Sequence, residues 1–533
     1  MKYHGLAVFI AVFFLYSCSN NDNSNLTPPI VAIDFTVPQD SIKVNPYGFT
    51  PISALVSFTT EKMGNTVLIV KGKHGAASDI VHQFKDAGTH HSIPVIGMYA
   101  DFANTVLLRV VDNKGDTLAK STVIIQTGSL PEHMPTAINA QIADSNAVDP
   151  GLTLVSSLST YGITGQPSIP YFIDNWGDVR WVLNYITDPE LSSLFYDDGI
   201  ARLRDGNFYF GNTQTGKIYE VDLLGKVINS WAFPGYSFHH NVQEKPDGNF
   251  LVTVSKEGSV NAKGNPTDED YIIEINRQSG AITTVWDLKQ SLDEDRKALT
   301  VDEKDWIHVN SVGYDSTDNT IIVSGRTQGL IKLDYNNNVK WIMGAHAGWG
   351  KNGRGEDLNQ FLLTPLDASG NAITDTAVVN GWTPGNDFEW NWYQHSNIKL
   401  PNGDLMIFDN GTARTLDVNA GGNVFYTAAG KYSRAVEYKI NEANKTVQQV
   451  WSYGKERDQA CYSSIISSVE YLPEKNHILF APGFNVPNTG GSGGKVVEID
   501  YNTKQVVAET SINTANGFGF HRAKKISAYP DNM

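Results

Sequence analysis

The chain has 533 residues, which is enough to bury a large core and to form more than one domain. Hydrophobic residues make up 41% and charged residues 18%, the ordinary balance of a folded globular protein rather than a disordered one. The net charge is −16 and no basic stretch occurs, so we exclude nucleic acid as a partner, because phosphate binding requires an excess of Lys and Arg.

The first element along the chain is predicted to be a signal peptide over residues 1–17. Lys2 supplies the positive charge, and the apolar run after it is too short to cross a bilayer. Residues 15–18 read LYSC, which resembles a bacterial lipobox, although a Tyr replaces the usual small residue two positions before the Cys. Residues 18–27 would form a lipoprotein tether. We expect export to the periplasmic side of a bacterial membrane, with Cys18 lipidated as the only membrane contact; an ordinary signal peptide is the alternative.

Residues 28–128 are predicted to form a small N-terminal β-sandwich. Apolar and polar residues alternate there in short runs, as in strands with one buried face. The runs lie at 31–37, 52–59, 66–71, 104–111 and 121–126. Residues 129–164, with their Pro and Asn, are predicted to be a linker and crossing loop. Whether the small domain supports a homodimer or only braces the rest of the chain stays open.

One unit recurs through residues 165–533: an apolar strand, a tight turn and a strand that closes on Trp. The six copies lie at 171–181, 218–231, 271–286, 330–341, 435–451 and 496–507, and Trp closes the first five. Repeats of about 40–60 residues built from about four strands indicate a β-propeller. We therefore predict an all-β protein, with a six-bladed β-propeller after the small β-sandwich.

Three histidines occupy matched places in these repeats. They are His240 in FHHNVQEKPDGN, His308 in DWIHVNSVGY and His395 in YQHSNIKLPNGD. The corresponding places in the other blades hold Asp198, Ser467 and His521. Equivalent strands of a closed ring point to a common axis, so we expect these side chains to surround one site.

Several neutral imidazoles beside the cation of Arg326 suit the transfer of an anionic group. One histidine would attack, another would move a proton, and Arg326 would stabilise the developing charge. A multi-His metal-dependent propeller enzyme is the alternative, since three or four histidines could hold zinc or ferrous iron. Arg326 counts against a metal, because a guanidinium repels a dication. A non-catalytic lipid-anchored binding propeller would leave Arg326 and the repeated histidines unexplained.

Aromatic residues end the longest insertion, at 345–391. The run DFEWNWYQH places Trp390, Trp392 and Tyr393 just before His395. They could clamp a planar substrate or pack between blades, and the sequence leaves both readings open.

The chain resembles the bacterial arylsulfate sulfotransferases. The resemblance is carried by NPYGFTPISAL (45–55) and IGMYADFANTV (96–106), and by FHHN, DWIHVNSVGYD, IIVSGRTQG, LLTP and YQH. It implies an enzyme that moves a sulfuryl group from an aryl sulfate donor to a phenolic acceptor through a sulfohistidine. It also implies that the enzyme needs no nucleotide sulfate donor, no cofactor and no metal.

The resemblance implies roles for individual residues. His395 of YQH would be the nucleophile, and Arg326 of SGRTQG would bind the sulfuryl oxygens. His240 and His308 would transfer protons or position the sulfate. Asn310, in the same HVN element as His308, would help to orient the sulfate.

Two ring residues, His521 and Ser467, are expected to contact the substrate from their positions alone. His240 is preferred over His239 because it lies six residues before the Pro of its turn, the spacing that His395 also has. Some members of the family carry a Cys pair in the insertion before the nucleophile, whereas residues 345–394 contain no Cys. The natural donor and acceptor therefore stay open.

Overall fold

A single 17-residue strand organises the N-terminal domain in the computed structural model, which describes residues 31–157, 168–194, 199–300, 302–416 and 431–533. The strands of this domain are β1 (Ile33–Asp34), β2 (Ile42–Val44), β3 (Ala54–Val70), β4 (Ile80–Gln83), β5 (Gly88–Val95), β6 (Ala103–Val111) and β7 (Thr117–Gln126). The first part of β3 pairs with β2 and β5, and its second part pairs with β4 and β6. The predicted strands at 52–59 and 66–71 are thus one strand, whose register shifts between Thr59 and Gly64.

The small domain braces the propeller. Its buried side chains, Leu68 and Val70 among them, share one hydrophobic cluster with Trp181 of the first blade. Arg180 donates from Nε to the Gly97 carbonyl at 2.8 Å. Near the C-terminus, the Tyr529 hydroxyl accepts a hydrogen bond from an N–H of the small domain at 2.7 Å. The two domains therefore share a core rather than a flexible hinge.

Twenty-seven further strands lie in the described part of the chain. The first are β8 (Ala137–Ile142), β9 (Leu152–Ser157), β10 (Tyr171–Ile173), β11 (Val179–Val182), β12 (Ala201–Arg202), β13 (Phe208–Asn212), β14 (Lys217–Val221), β15 (Val227–Ala232) and β16 (Tyr236–Glu244). They are followed by β17 (Phe250–Lys256), β18 (Tyr271–Ile275), β19 (Ile282–Asp287), β20 (Val309–Asp315), β21 (Thr320–Gly325), β22 (Gly329–Leu333), β23 (Val339–Met343), β24 (Thr364–Leu366) and β25 (His395–Lys399). The last are β26 (Leu405–Asp409), β27 (Arg434–Asn441), β28 (Thr446–Tyr453), β29 (Ser468–Leu472), β30 (His477–Ala481), β31 (Val486–Asn488), β32 (Gly491–Asp500), β33 (Val506–Asn513) and β34 (Phe520–Ile526).

Helices are few and short. The α-helices of the described residues are α1 (Leu288–Ser291) and α2 (Thr376–Val379), and the 3-10 helices are Gln39–Ser41, Ala76–Ser78, Leu358–Phe361 and Lys455–Cys461. No described helix has the length and apolar character that a membrane crossing requires.

The propeller strands form six sheets within the described residues, which confirms the predicted six blades. From the inner strand outwards, the blades are β34-β9-β10-β11, β12 to β15, β16 to β19, β20 to β23, β25 to β28 with β24 outside, and β29-β30-β32-β33 with β8 outside. The C-terminal strand β34 thus completes the first blade, and β8 extends the sixth. Residues 129–164, predicted as a linker and crossing loop, contain both β8 and β9. Their Pro and Asn obscured two short strands whose partners lie more than 350 residues away in sequence, as in Ile142 with Ala508.

The repeated Trp connects four of the blades to the blade that follows. The six sequence copies are the third and fourth strands of the six blades. The indole N–H of Trp181, Trp231, Trp286 and Trp451 donates to a backbone carbonyl of the following blade at 2.6–2.9 Å. The N–H of a buried Trp usually has a hydrogen-bond partner. Here that partner belongs to the next blade, so the repeated Trp reflects contacts between neighbouring blades.

Candidate active site

Four histidines meet where the inner strands begin. The inner strands β16, β20, β25 and β34 each shift register beside a histidine: His240, His308, His395 and His521. β-Bulges of this kind redirect side chains and are common next to active sites. His240 and His308 have positive φ angles of 58° and 52°, a backbone conformation that costs free energy and occurs mainly where function requires it.

His240 lies at the centre of the group. Its Nε2 is 3.1 Å from Nε2 of His308. Its ring centroid is 5.9 Å from that of His395, and it stacks on His521 at 5.3 Å. His239, the alternative to His240, lies on the other side, where its Nε2 is 2.8 Å from a Glu269 oxygen. The structure therefore brings the predicted imidazoles together, with His240 touching three of them.

The His395 imidazole is fully enclosed and neutral. Its Nδ1 lies 2.7 Å from Oδ1 of Asn410 and 3.1 Å from the Tyr393 carbonyl, while its Nε2 faces the Ile466 N–H at 3.3 Å. Burial lowers the pKa of His395 well below its ordinary value, and the positive charges of His240 and Arg326 add to the shift. A neutral imidazole keeps a lone pair that can attack an electrophile.

His308 has the opposite electrostatics. Its Nδ1 lies 2.7 Å from an oxygen of Glu269 and 2.8 Å from one of Asp305. Burial opposes protonation, but the two carboxylates outweigh it and raise the pKa of His308. Burial likewise opposes ionisation of Glu269, yet the neighbouring His239 and His308 hold its pKa below the usual range. The imidazole of His308 is therefore set up to carry a proton.

Sequence reasoning missed both carboxylates. Asp305 lies three residues before His308 in the DWIHVN motif, and Glu269 is the middle residue of an acidic run, DED (268–270), in the preceding blade. The short spacing from Asp305 was a usable signal. Glu269 reaches His308 only through the packing of two blades, and nothing in the sequence pairs them.

Arg326 is a cation without an ion pair among the described residues. Its guanidinium lies over the Tyr393 ring, 5.0 Å from the centroid, and the Tyr393 hydroxyl donates to the Leu299 carbonyl at 2.5 Å. Its Nε is buried and lacks a hydrogen-bond partner in the described part of the chain. A positioned, uncompensated guanidinium suits an anionic ligand, because its N–H groups bind planar or tetrahedral oxyanions. Tyr393 thus supports Arg326, and Trp390 and Trp392 are buried in a hydrophobic cluster rather than open to a substrate.

Asn310 and Ser467 are engaged with the protein. Asn310 donates from Nδ2 to the Gln394 carbonyl at 2.8 Å, so it holds the residue before His395. Its Oδ1 is buried and has no hydrogen-bond partner among the described residues. The Ser467 hydroxyl donates to Ser463 Oγ at 2.8 Å and accepts a backbone N–H at 2.9 Å. This geometry does not support a substrate contact through the Ser467 side chain.

Some predictions concern residues outside the described part of the chain. These are the ring position of Asp198, the signal peptide, the tether and the lipidation of Cys18. They stay predictions.

Among the described residues, two groups of side chains could hold a metal ion: His239 with His240 and His308, and Glu269 with Asp305 and His308. In the second group His308 Nδ1 lies 2.7 and 2.8 Å from its two carboxylate partners. These are hydrogen-bond distances, shorter than the roughly 3.3 Å that separates tetrahedral ligands placed about 2.0–2.1 Å from zinc. As arranged, His308 and its two carboxylate partners share protons.

Comparison with known proteins identifies relatives of both domains. The family model described as arylsulfotransferase (ASST) matches residues 138–521, and the arylsulfotransferase Ig-like domain matches 41–128. The arylsulfate sulfotransferase AssT of Escherichia coli O6:H1 (strain CFT073) is 29% identical over 553 residues, which cover 89% of this chain and 90% of that protein. AssT of Lelliottia amnigena is also 29% identical, over 556 residues covering 89% and 90%. An auxiliary nutrient binding protein structure from Bacteroides ovatus is 9% identical over 89% of this chain and 91% of its own, with a TM-score of 0.31.

Proposed function

Because the chain belongs to the arylsulfotransferase family, we propose that it moves a sulfuryl group from an aryl sulfate ester to a phenolic acceptor through a sulfohistidine at His395. Membership and the two relatives named arylsulfate sulfotransferase make it a sulfuryl-transferring enzyme. The histidine intermediate and the independence from a nucleotide sulfate donor are our proposal. The observation that carries it is a neutral, enclosed His395 beside an uncompensated Arg326 and a proton-bearing His308.

The first half of the reaction breaks the donor ester. The lone pair of His395 forms a bond to sulfur while the bond from sulfur to the aryl oxygen breaks. The departing oxygen takes a proton from the His308 and His240 pair, whose Nε2 atoms are 3.1 Å apart. Arg326 binds the sulfuryl oxygens, whose charge changes as the bonds exchange. The products are a phenol and a sulfohistidine.

The second half reverses these steps on the acceptor. A phenolic hydroxyl gives its proton back to the same histidine pair and its oxygen attacks sulfur. The nitrogen–sulfur bond breaks and its electron pair returns to His395. No proton is gained or lost over the cycle. The reaction therefore needs only the aryl sulfate donor and the phenolic acceptor.

The electrostatics of the two histidines fit these roles at neutral pH. The pKa of His395 lies below the ordinary value and that of His308 lies above it. Between the two pKa values the nucleophile is neutral and the acid is protonated at the same time, as the first half of the reaction requires.

The test is release of nitrophenol from nitrophenyl sulfate by the purified protein, with and without added phenol, in a buffer that contains a chelator. We expect acceptor-dependent release that His395→Ala abolishes. His477→Gln is the matched control, because His477 is also buried but begins β30, the second strand of the sixth blade, where it pairs with Glu498 at 2.8 Å instead of joining the clustered histidines. Release that stops with chelator and returns with zinc would instead favour the metal-dependent alternative. No release with any of several aryl sulfates would contradict the proposal.

We also propose that the protein is exported and carries lipid on Cys18. Support comes from the charge at Lys2, the short apolar run and the LYSC sequence before a polar tether. Labelling cells with a radioactive fatty acid should mark the wild-type protein and leave Cys18→Ser unmarked. An unlabelled wild type would leave an ordinary signal peptide as the better reading.

A further inference from the structure

We infer that Asn410 is a positioning residue that keeps the proton of His395 on Nδ1 and thereby makes Nε2 the nitrogen that receives the sulfuryl group. This inference rests on the proposed function, since it assigns one atom within the nucleophile. Asn410 lies directly after β26, two residues beyond Phe408, which is the strand partner of His395 on the inner strand β25. It belongs to none of the repeated motifs.

The hydrogen bonds of Asn410 fix which end of its amide faces His395. Its Nδ2 donates to two backbone carbonyls, that of Ser463 at 2.9 Å and that of Ile466 at 3.0 Å. With both N–H groups used, Oδ1 faces His395 Nδ1 at 2.7 Å. Turning the amide over would set Oδ1 against two carbonyl oxygens and remove both of the hydrogen bonds that Nδ2 donates, which is costly in a buried site. Asn410 can therefore only accept at His395.

A second acceptor leads to the same assignment. The Tyr393 carbonyl lies 3.1 Å from His395 Nδ1, and a carbonyl oxygen cannot donate. Nδ1 consequently carries the hydrogen. A neutral imidazole has only one, so Nε2 holds the lone pair.

The contact of His395 Nε2 supports the same tautomer. The Ile466 N–H points at His395 Nε2 from 3.3 Å, as expected for a nitrogen that accepts. Ile466 and Ser467 have positive φ angles of 52° and 85°. A β-branched residue rarely takes this conformation, and such strain tends to gather at functional sites. When Nε2 bonds to sulfur, its 3.3 Å contact with the Ile466 N–H is lost. That N–H would then lie close to the sulfuryl oxygens.

Asn410 is itself held rigidly. Its carbonyl accepts from Ser433 Oγ at 2.8 Å. The preceding Asp409 is fully buried and accepts from Arg414 at 2.6 Å and from Arg434 at 2.8 Å. This network fixes the end of β26, so the amide is in place before the substrate arrives.

The step balances with this assignment. The Nε2 lone pair forms the bond to sulfur, the sulfur–oxygen bond breaks, and the hydrogen on Nδ1 stays where it is, shared with Asn410. With the hydrogen on Nε2 instead, the lone pair would lie on Nδ1, which faces Asn410 and Tyr393, and Nε2 would have to lose its proton before it could attack. Removing the Asn410 acceptor should therefore slow transfer without weakening donor binding.

Three variants test the inference. Asn410→Ala should lower kcat about 10- to 100-fold, as loss of an orienting partner typically does, with little change in KM for the donor. Asn410→Asp keeps an acceptor but adds a negative charge that favours the imidazolium, so the acid limb of the pH profile should move to higher pH. Asn397→Ala is the matched control, because this amide lies two residues after His395 but hydrogen-bonds to Ser311 and the Ile322 carbonyl rather than to the imidazole.

A readout independent of turnover is the tautomer of His395, taken from nitrogen-15 NMR of histidine-labelled protein and assigned with His395→Ala. We expect the hydrogen on Nδ1 in the wild type. A hydrogen on Nε2, a wild-type kcat in Asn410→Ala, or an unmoved acid limb in Asn410→Asp would each overturn the inference. If the wild type transferred no sulfuryl group, the proposed function would fail alone, because the tautomer would still report on Asn410.

Discussion

Removing the Arg326 guanidinium should cost more activity than any other change outside the histidines. Arg326 is held over Tyr393 and forms no ion pair with a described carboxylate, so its whole charge is available to the sulfuryl oxygens. A unit charge about 4 Å from an opposite charge contributes about 4 kcal/mol at the effective dielectric constant of a protein surface. We take about 3–4 kcal/mol of this as the loss of transition-state stabilisation relative to the free enzyme and free donor, which is what kcat/KM measures. Arg326→Ala should therefore lower kcat/KM about 10²- to 10³-fold.

The assay is steady-state release of nitrophenol from nitrophenyl sulfate at a fixed concentration of phenol. Arg326→Lys keeps the charge and loses the forked donor geometry, so it should recover part of the rate. Arg277→Ala is the control, since Arg277 pairs with Glu220 at 3.0 Å on the outer turn of another blade and should leave the rate unchanged. Thermal unfolding of each variant checks the fold. An Arg326→Ala protein that stays folded and keeps kcat/KM within about threefold would refute a role for Arg326 in binding the sulfuryl oxygens.

Two further predictions concern pH and stability. Asp305→Asn removes a carboxylate that raises the pKa of His308, so the alkaline limb of the kcat/KM profile should move to lower pH; an unmoved limb would mean that His308 is not the acid. Trp286→Phe removes the indole N–H that donates to the Asp334 carbonyl at 2.9 Å, so it should lower the free energy of unfolding by about 1–3 kcal/mol in urea titrations, whereas the exposed Trp382→Phe should change it little.

The propeller could be predicted because each blade repeats its own local signals. The turn residues and the closing Trp lie within one hairpin, and the Trp contacts of one blade are those of the next. Ring closure carries no such signal. Strand β8 pairs with β33 and β9 with β34, and each pair joins opposite ends of the propeller chain. A short strand whose partner is so distant looks like a loop until the ring closes.

The active site likewise contains residues that the sequence predicts and residues that it does not. The histidines could be found because they occupy matched positions on inner strands, and Arg326 because it follows one of them. Their partners could not. Glu269 meets His308 across two blades, and Asn410 meets His395 across a strand pair, so each contact depends on tertiary packing.

The partners, rather than the histidines, decide what each ring does. His308 sits between two carboxylates contributed by the third and fourth blades, and His395 sits against neutral amide and carbonyl oxygens of the fifth. Stability should show this asymmetry with opposite signs. The raised pKa of His308 stabilises the fold below its unfolded pKa of about 6.5, and this contribution is lost as pH rises through the folded value. The lowered pKa of His395 destabilises the fold below about 6.5, because only the unfolded chain takes up that proton. The two contributions therefore oppose each other in mild acid, so an acid and a nucleophile of the same residue type make contributions of opposite sign to the pH dependence of folding.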